Sequence, residues 1–205
     1  MRVEKIYLFY MISGFLLGSI LFAYEVPRIW KHIDIREVSE DGNPGTFNAF
    51  LFGGVGCGVL VLLLELLKGF LPVYYCSMRA GRDSLLFSGV LAAPVLGHAF
   101  SIFHKGKGGK GIAVSFGVLL GLFPWWMPAL VLAGFYIFFS LVGPVKSHLK
   151  RSVVTFGCFC VTSFFTGWEG AVRLGILIIS LVVVYKHVES ALAAEDTDGK
   201  KWRTQ

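Results

Sequence analysis

Residues 6–26 read IYLFYMISGFLLGSILFAYEV, and this stretch decides what kind of molecule the chain is, because only Ser13, Ser19 and Glu25 interrupt its apolar character. A cleaved leader carries an apolar core of roughly 7–15 residues and a small-residue cleavage site. This run is longer and ends in Glu25-Val26-Pro27-Arg28, so it is expected to stay as a first membrane helix. Six more apolar runs follow at 48–67, 84–103, 112–123, 128–143, 152–166 and 171–185. The last four are shorter than the ~20 residues a perpendicular helix needs to cross the hydrocarbon, so short or broken spans are expected there. Phe123-Pro124-Trp125-Trp126-Met127-Pro128 predicts a turn, since two prolines remove two backbone donors and paired tryptophans favour the membrane interface. The stretch 70–76 is too short to span and either extends the second helix or lies in the interface.

Composition points the same way. Of the 205 residues 55% are hydrophobic and 16% charged, with a mean hydropathy of +0.69, where a soluble domain carries roughly 25% charged residues. A soluble single-core enzyme, a disordered chain and a disulfide scaffold are excluded. The four cysteines, Cys57, Cys76, Cys158 and Cys160, read as packing residues. The expectation is an all-α, polytopic integral membrane helical bundle of about seven transmembrane helices, one domain over residues 1–205, with a cytoplasmic tail at 186–205 that is flexible from about 194.

Lysine and arginine set the orientation, because cytoplasmic loops carry the excess. With the N-terminus outside, thirteen fall inside, from Arg28, Lys31 and Arg36 through Lys105, Lys107 and Lys110 to Lys146, Lys150, Arg151 and the tail, against six outside. The net charge of +6 therefore gathers on one face, where it attracts anionic headgroups or a phosphorylated substrate. No aromatic-interleaved basic platform accompanies it, so no nucleic-acid partner is expected.

Three inner loops hold the polar chemistry. The first, Asp34 to Asn48, packs acids, amides and glycines just before an apolar helix, and is either a plain hairpin loop capped by Asn48 or part of a site. The second places His98 ahead of Lys105-Gly106-Lys107-Gly108-Gly109-Lys110-Gly111 at the start of a helix. Glycines let consecutive N–H groups approach an anion, and the helix N-terminus adds partial positive charge. Phosphate binding by these residues is expected, although the spacing is not that of the nucleotide P-loop. In the third, His187 near the end of the last run either caps a helix C-terminus or works on a proton or anion. His32, His104 and His148 read as loop residues, and no histidine pair has the i, i+4 spacing of a zinc site, so neither metal nor cofactor is expected.

At these loops the chain resembles the PlsY family, bacterial membrane acyltransferases that pass an acyl chain from acyl phosphate to glycerol 3-phosphate. The matching residues are Leu17-Gly18-Ser19-Ile20, Asp34-Ile35-Arg36, Gly42-Asn43-Pro44-Gly45 through Asn48, Leu67-Lys68-Gly69, Gly97-His98 with Phe103, Lys107-Gly108-Gly109-Lys110-Gly111-Ile112-Ala113, and His187 with Glu189. The departures are Asp41 for Ser, Phe47 for Thr, Leu51 for Arg, Ser101 for Pro, Gly106 for Phe, Ser190 for Asn and Ala193 for Arg.

The resemblance implies direct acyl transfer without a serine or cysteine nucleophile, because acyl phosphate is already an activated mixed anhydride. It implies that His187, Asn43, Asn48 and His98 are catalytic, the amides and His98 donating hydrogen bonds and His187 or a substrate phosphate taking the proton. Lys105, Lys107, Gly108, Gly109, Lys110, Gly111 and Arg36 are then the phosphate-binding residues, with Lys105 or Arg36 replacing charge lost at Leu51 and Ala193. The partners implied are acyl phosphate, glycerol 3-phosphate and membrane lipids, at the cytoplasmic side of a bacterial cytoplasmic membrane. Two other readings stand at this point: acylation of another phosphorylated acceptor, and a non-catalytic anion-binding, lipid-binding or transport protein. Midplane charges would favour transport, yet Glu65, near Lys68, is the only clear acid within a span.

Overall fold

The first apolar run is not one helix. In the computed structural model, which describes residues 3–39, 41–142, 145 and 147–201 with side chains as far as Ala193, α1 (Val3–Ser19) and α2 (Phe22–Lys31) meet at a bend of 41°. The bend falls where α1 comes hard against α6 (Leu86–Ala99): a methyl on Gly18 would collide with the Pro94 backbone, and one on Gly97 with the Phe15 carbonyl. Side chains from other elements take up carbonyls at the break. Lys68 donates to Gly18 O (3.1 Å) and Ile20 O (2.6 Å), and Ser101 donates to Ser19 O (2.6 Å). In α2 Ala23 and Pro27 are buried, while Arg28, Ile29, Trp30 and Lys31 are exposed, the pattern of a helix at an interface.

Asp34 caps the single turn α3 (Ile35–Val38) by accepting from Arg36 N at 3.0 Å. The second apolar run is also broken. Gly54, at φ 82°, separates α4 (Thr46–Gly53) from the long α5 (Val55–Ala80), a backbone angle that a side chain would strain. Residues 70–76 extend α5. α7 (Ile112–Leu120) begins after Gly111, φ 81°, and the expected turn at Phe123 to Trp126 leads to α8 (Met127–Ile137), which loosens into one π turn at Phe138–Val142. α9 (His148–Phe165) and α10 (Gly170–Lys201) complete the chain.

In lipid there is little hydrophobic drive between helices, so close packing through small residues has to hold them. α5 and α7 approach through Gly69, whose added methyl would press on Val114 O, and Gly117, whose methyl would collide with Leu66 O. α6 is the central helix, with eleven of its fourteen residues buried between α1, α5, α7 and α10. Phe87, Leu91, Leu119, Leu122, Phe156, Phe159, Ile176 and Ile179 fill the core around it.

Each of the seven apolar runs is mostly helical among the described residues, but helix length does not carry seven crossings. Among the described residues three helices are long and apolar enough to cross a membrane, at Val55–Ala80, Leu86–His104 and Gly170–Ala193, or four if the bent α1–α2 pair is one span. α7, at nine residues, rises only ~14 Å against a hydrocarbon core of ~30 Å. α9 has eighteen residues but opens on His148, Lys150 and Arg151. The expectations for Arg2 and Lys146, and for a flexible tail from about 194, fall outside the described residues or their described side chains.

Candidate active site

The start of α4, the middle of α5, the end of α6, the start of α7, the start of α9 and the inner part of α10 surround one cavity of about 640 Å³. Its polar wall carries Asp41, Asn43, Asn48, Glu65, His98, Lys110, His148, Ser152 and His187, and its apolar wall includes Leu51, Phe52, Leu62, Phe116 and Tyr136. Of the residues expected in a site, Asn43, Asn48, His98, Lys110, Gly111 and His187 are thus brought together. Side chains from the three loops meet at one end of the bundle, as their shared charge suggested.

The glycine-rich loop is built onto His98. Gly109 N–H donates to the His98 carbonyl at 3.0 Å. A methyl on Gly108 would collide with that carbonyl, and one on Gly109 with the His98 ring. Here the geometry differs from the expectation that the Gly109 N–H grips an anion, since that donor is already engaged. The free donors lie one step further on, where Gly111, Ile112 and Ala113 open α7 on the cavity wall and the first turn of a helix has N–H groups without intrahelical partners. Lys105 and Lys107 are exposed and do not line the cavity. Arg36 does not reach it either: its guanidinium stacks over the Tyr24 ring at 4.1 Å.

Asp41, Asn43 and Asn48 form a tight polar corner. Asp41 Oδ1 accepts from Asn43 N (3.2 Å) and from Asn48 Nδ2 (3.0 Å), and Asn48 Nδ2 also donates to Asn43 O (2.9 Å). Asp41 Oδ2 pairs with Lys110 Nζ at 2.7 Å. Burial pushes the Asp41 carboxyl up, but the Lys110 ammonium, the Asn48 amide and the Asn43 N–H outweigh it and hold the group below the usual carboxylate range.

Behind His98 lies a buried charge cluster that sequence reasoning noticed only as an acid near a lysine. Lys68 Nζ pairs with Glu65 Oε2 at 2.8 Å, and His98 Nδ1 lies 3.1 Å from the same oxygen and 3.0 Å from Lys68 Nζ. Glu65 is 1% and Lys68 3% exposed, while Glu65 Oε1 has no hydrogen-bond partner among the described residues. The i, i+3 spacing of opposite charges within an apolar run was the available signal. On the far wall, His187 is buried with Nδ1 2.8 Å from the Val183 carbonyl. His148, read from sequence as a loop residue, opens α9 and lines the cavity beside the buried Ser152. Of the other two such residues, His32 caps the C-terminus of α2 and His104 sits in a short turn paired with Glu25 at 3.3 Å. Among the described residues no group of three or more His, Cys, Asp or Glu side chains is placed to hold a metal ion.

Apolar spanning helices packed around a cavity with an amide-rich, lysine-bearing wall and an apolar wall define an integral membrane protein with a cavity polar on one side and apolar on the other. The family described as glycerol-3-phosphate acyltransferase matches residues 8–193. The chain belongs to that family. A glycerol-3-phosphate acyltransferase of Endomicrobium trichonymphae is 37% identical over 179 residues, covering 87% of this chain and 86% of that protein. The crystal structure of PlsY (YgiH), an integral membrane glycerol 3-phosphate acyltransferase, superposes in its glycerol 3-phosphate form with a TM-score of 0.78 at 31% identity, covering 90% of each chain. Its lysophosphatidic acid form gives a TM-score of 0.75 at 29% identity, over 90% of this chain and 89% of that one.

Proposed function

We propose that the chain moves an acyl group from acyl phosphate to a hydroxyl of glycerol 3-phosphate, releasing 1-acyl-glycerol 3-phosphate and inorganic phosphate. We place it in a bacterial cytoplasmic membrane with the cavity open to the cytoplasm, in line with the clustering of lysine and arginine at the three loops. The observation that carries the reading is the two-sided cavity. Lys110 and the start of α7 provide charge and N–H donors for a phosphate, and Leu51, Phe52, Leu62 and Phe116 provide an apolar bed for the first carbons of an acyl chain.

In the reaction the acceptor oxygen attacks the acyl carbonyl carbon, the bond from that carbon to the phosphate oxygen breaks, and phosphate leaves with the electron pair. No covalent enzyme intermediate is needed, so catalysis rests on positioning and on charge stabilisation. A backbone carbonyl only accepts, so the His187 Nδ1 beside Val183 O carries the proton and Nε2 keeps a lone pair. His187 thereby accepts the hydroxyl proton, or a substrate phosphate does. Asn43 and Asn48 orient the acceptor, and His98 fixes the loop through Gly108 and Gly109. Lys105 and Lys107, exposed outside the wall, act by drawing anions toward the mouth. The test is purified protein in lipid nanodiscs with acyl phosphate and glycerol 3-phosphate, scored for lysophosphatidate and released phosphate. Formation of the two products in equal amounts is expected; no product from a folded protein overturns the reading.

A further inference from the structure

Among the described residues lining the cavity, Lys110 is the one lysine or arginine, and it already holds an anion that belongs to the chain. Asp41 offers two oxygens to three donors: Lys110 Nζ at 2.7 Å, Asn48 Nδ2 at 3.0 Å and Asn43 N at 3.2 Å. An ammonium, a primary amide and a backbone N–H converging on one oxyanion are what a phosphate group would also seek. Asp41 sits at the rim, 37% exposed, whereas Asn48 is 8% exposed. The carboxylate can therefore turn out to water while the donors stay on the wall. A dianionic phosphate placed on Lys110 beside an unmoved carboxylate would meet like-charge repulsion, so the two anions compete for the same donors.

We propose that Asp41 is an internal competitor of phosphate: its carboxylate occupies the Lys110–Asn48 donors in the empty site, yields them to a substrate phosphate, and takes them back as inorganic phosphate leaves. This rests on Lys110 being the phosphate anchor, as argued above. The device sets specificity for the bound state. It raises the concentration of glycerol 3-phosphate needed for half-saturation, and it keeps the released phosphate from lingering in the cavity as an inhibitor. A group that only built the loop would have the opposite signature, because its loss would loosen Asn43 and Asn48 and weaken every anion.

Asp41→Asn separates the two. The asparagine retains an oxygen for the Asn43 N–H and the Asn48 amide and removes the charge opposite Lys110. Binding of inorganic phosphate to the protein in nanodiscs, followed by phosphorus NMR and by calorimetry, is independent of turnover. The Asn variant is expected to bind phosphate about two- to fivefold more tightly than the parent, the scale on which a partly exposed charge competes. Its KM for glycerol 3-phosphate falls and its inhibition by phosphate strengthens by similar factors. Asp41→Ser, which removes the carboxylate entirely, should show the same direction if the protein unfolds at the parent's temperature. Equal phosphate affinity in the parent and both folded variants overturns the competition and leaves the acyltransferase reading intact. Weaker binding in both variants overturns it in favour of a purely structural Asp41. Failure of parent and variants alike to bind phosphate overturns it together with the assignment of Lys110.

Discussion

Lys68→Met is the most informative single perturbation of the fold, because it removes a charge from a place where water cannot replace it. Lys68 is 3% exposed and its partner Glu65 1% exposed. With the ammonium gone, Glu65 faces only the His98 ring at 3.1 Å, and Gly18 O and Ile20 O lose donors at 3.1 and 2.6 Å. Breaking a buried pair by removing one partner costs about 3–5 kcal/mol. For a chain of this size that is a fall in Tm of roughly 6–20 °C, at about 2–4 °C per kcal/mol. Methionine fills similar volume, so the loss measures charge and hydrogen bonding rather than a cavity. The assay is thermal unfolding in detergent of the parent, Lys68→Met, Glu65→Gln and the double variant. The double variant should be more stable than Lys68→Met alone, since it no longer buries an uncompensated carboxylate. Acyl transfer should fall in Lys68→Met more than stability at the assay temperature explains, because His98 supports the glycine-rich loop. A Lys68→Met protein within about 1 kcal/mol of the parent, or a double variant worse than either single one, refutes the account of the cluster.

Lys110→Ala should weaken binding of the phosphate substrate by roughly 10- to 150-fold, the worth of a charge-assisted contact of about 1.5–3 kcal/mol, as read by KM and by direct binding. Gly109→Val should do at least as much, since its side chain meets the His98 ring; turnover like the parent's would remove the loop from the site. Leu51, on the cavity wall and 62% exposed, leaves room for a longer cation, so Leu51→Arg is expected to lower KM for glycerol 3-phosphate relative to other phosphorylated acceptors. Equal ratios in a stable variant would refute this. The Asp41–Lys110 contact should be insensitive to pH between about 5 and 8. The Asp41 carboxyl lies below its unfolded value, so its contribution is complete above about pH 4 and is lost as pH falls through the folded pKa; an NMR signal of the Asn48 side-chain amide that moved near pH 6 would contradict it.

Fold class and much of the site could be read from the chain because both rest on local signals. Apolar runs announce helices, and glycines with lysines at a helix start mark the loop whose end, at Lys110 and Gly111, reaches the cavity wall. What stayed hidden depends on residues distant in sequence. The bend after Ser19 follows from Gly18 and Gly97 letting α1 and α6 touch and from Lys68 and Ser101 reaching the exposed carbonyls, and nothing in residues 6–26 alone announces it. Gly54 as a helix break was a local signal, yet Gly53, Gly54, Gly56 and Gly58 look alike in sequence, and glycines within an apolar run are common in membrane helices. Lys105, Lys107 and Lys110 look equivalent in sequence; only the third is turned onto the cavity wall, because Lys105 ends a short turn in a left-handed conformation and Lys107 N–H is tied back to His104 O at 3.0 Å.

The tie between Lys68, Ser101 and the break in the first run also orders events during synthesis. In a continuous helix the carbonyls of Gly18, Ser19 and Ile20 would be satisfied by the N–H groups four residues on, and in hydrocarbon an unsatisfied backbone group costs several kcal/mol. Until the ribosome has made residues 68 and 101, no lysine from α5 and no serine from the turn after α6 exists to take those carbonyls. The nascent segment is therefore best served by staying straight; Lys68 takes two of the three carbonyls when it arrives, and the last is met only after Ser101 has emerged. The shape of this early helix is thus settled by a serine 82 residues further along the chain, and the corner between α1 and α2 closes only once α6 and the turn after it have been made.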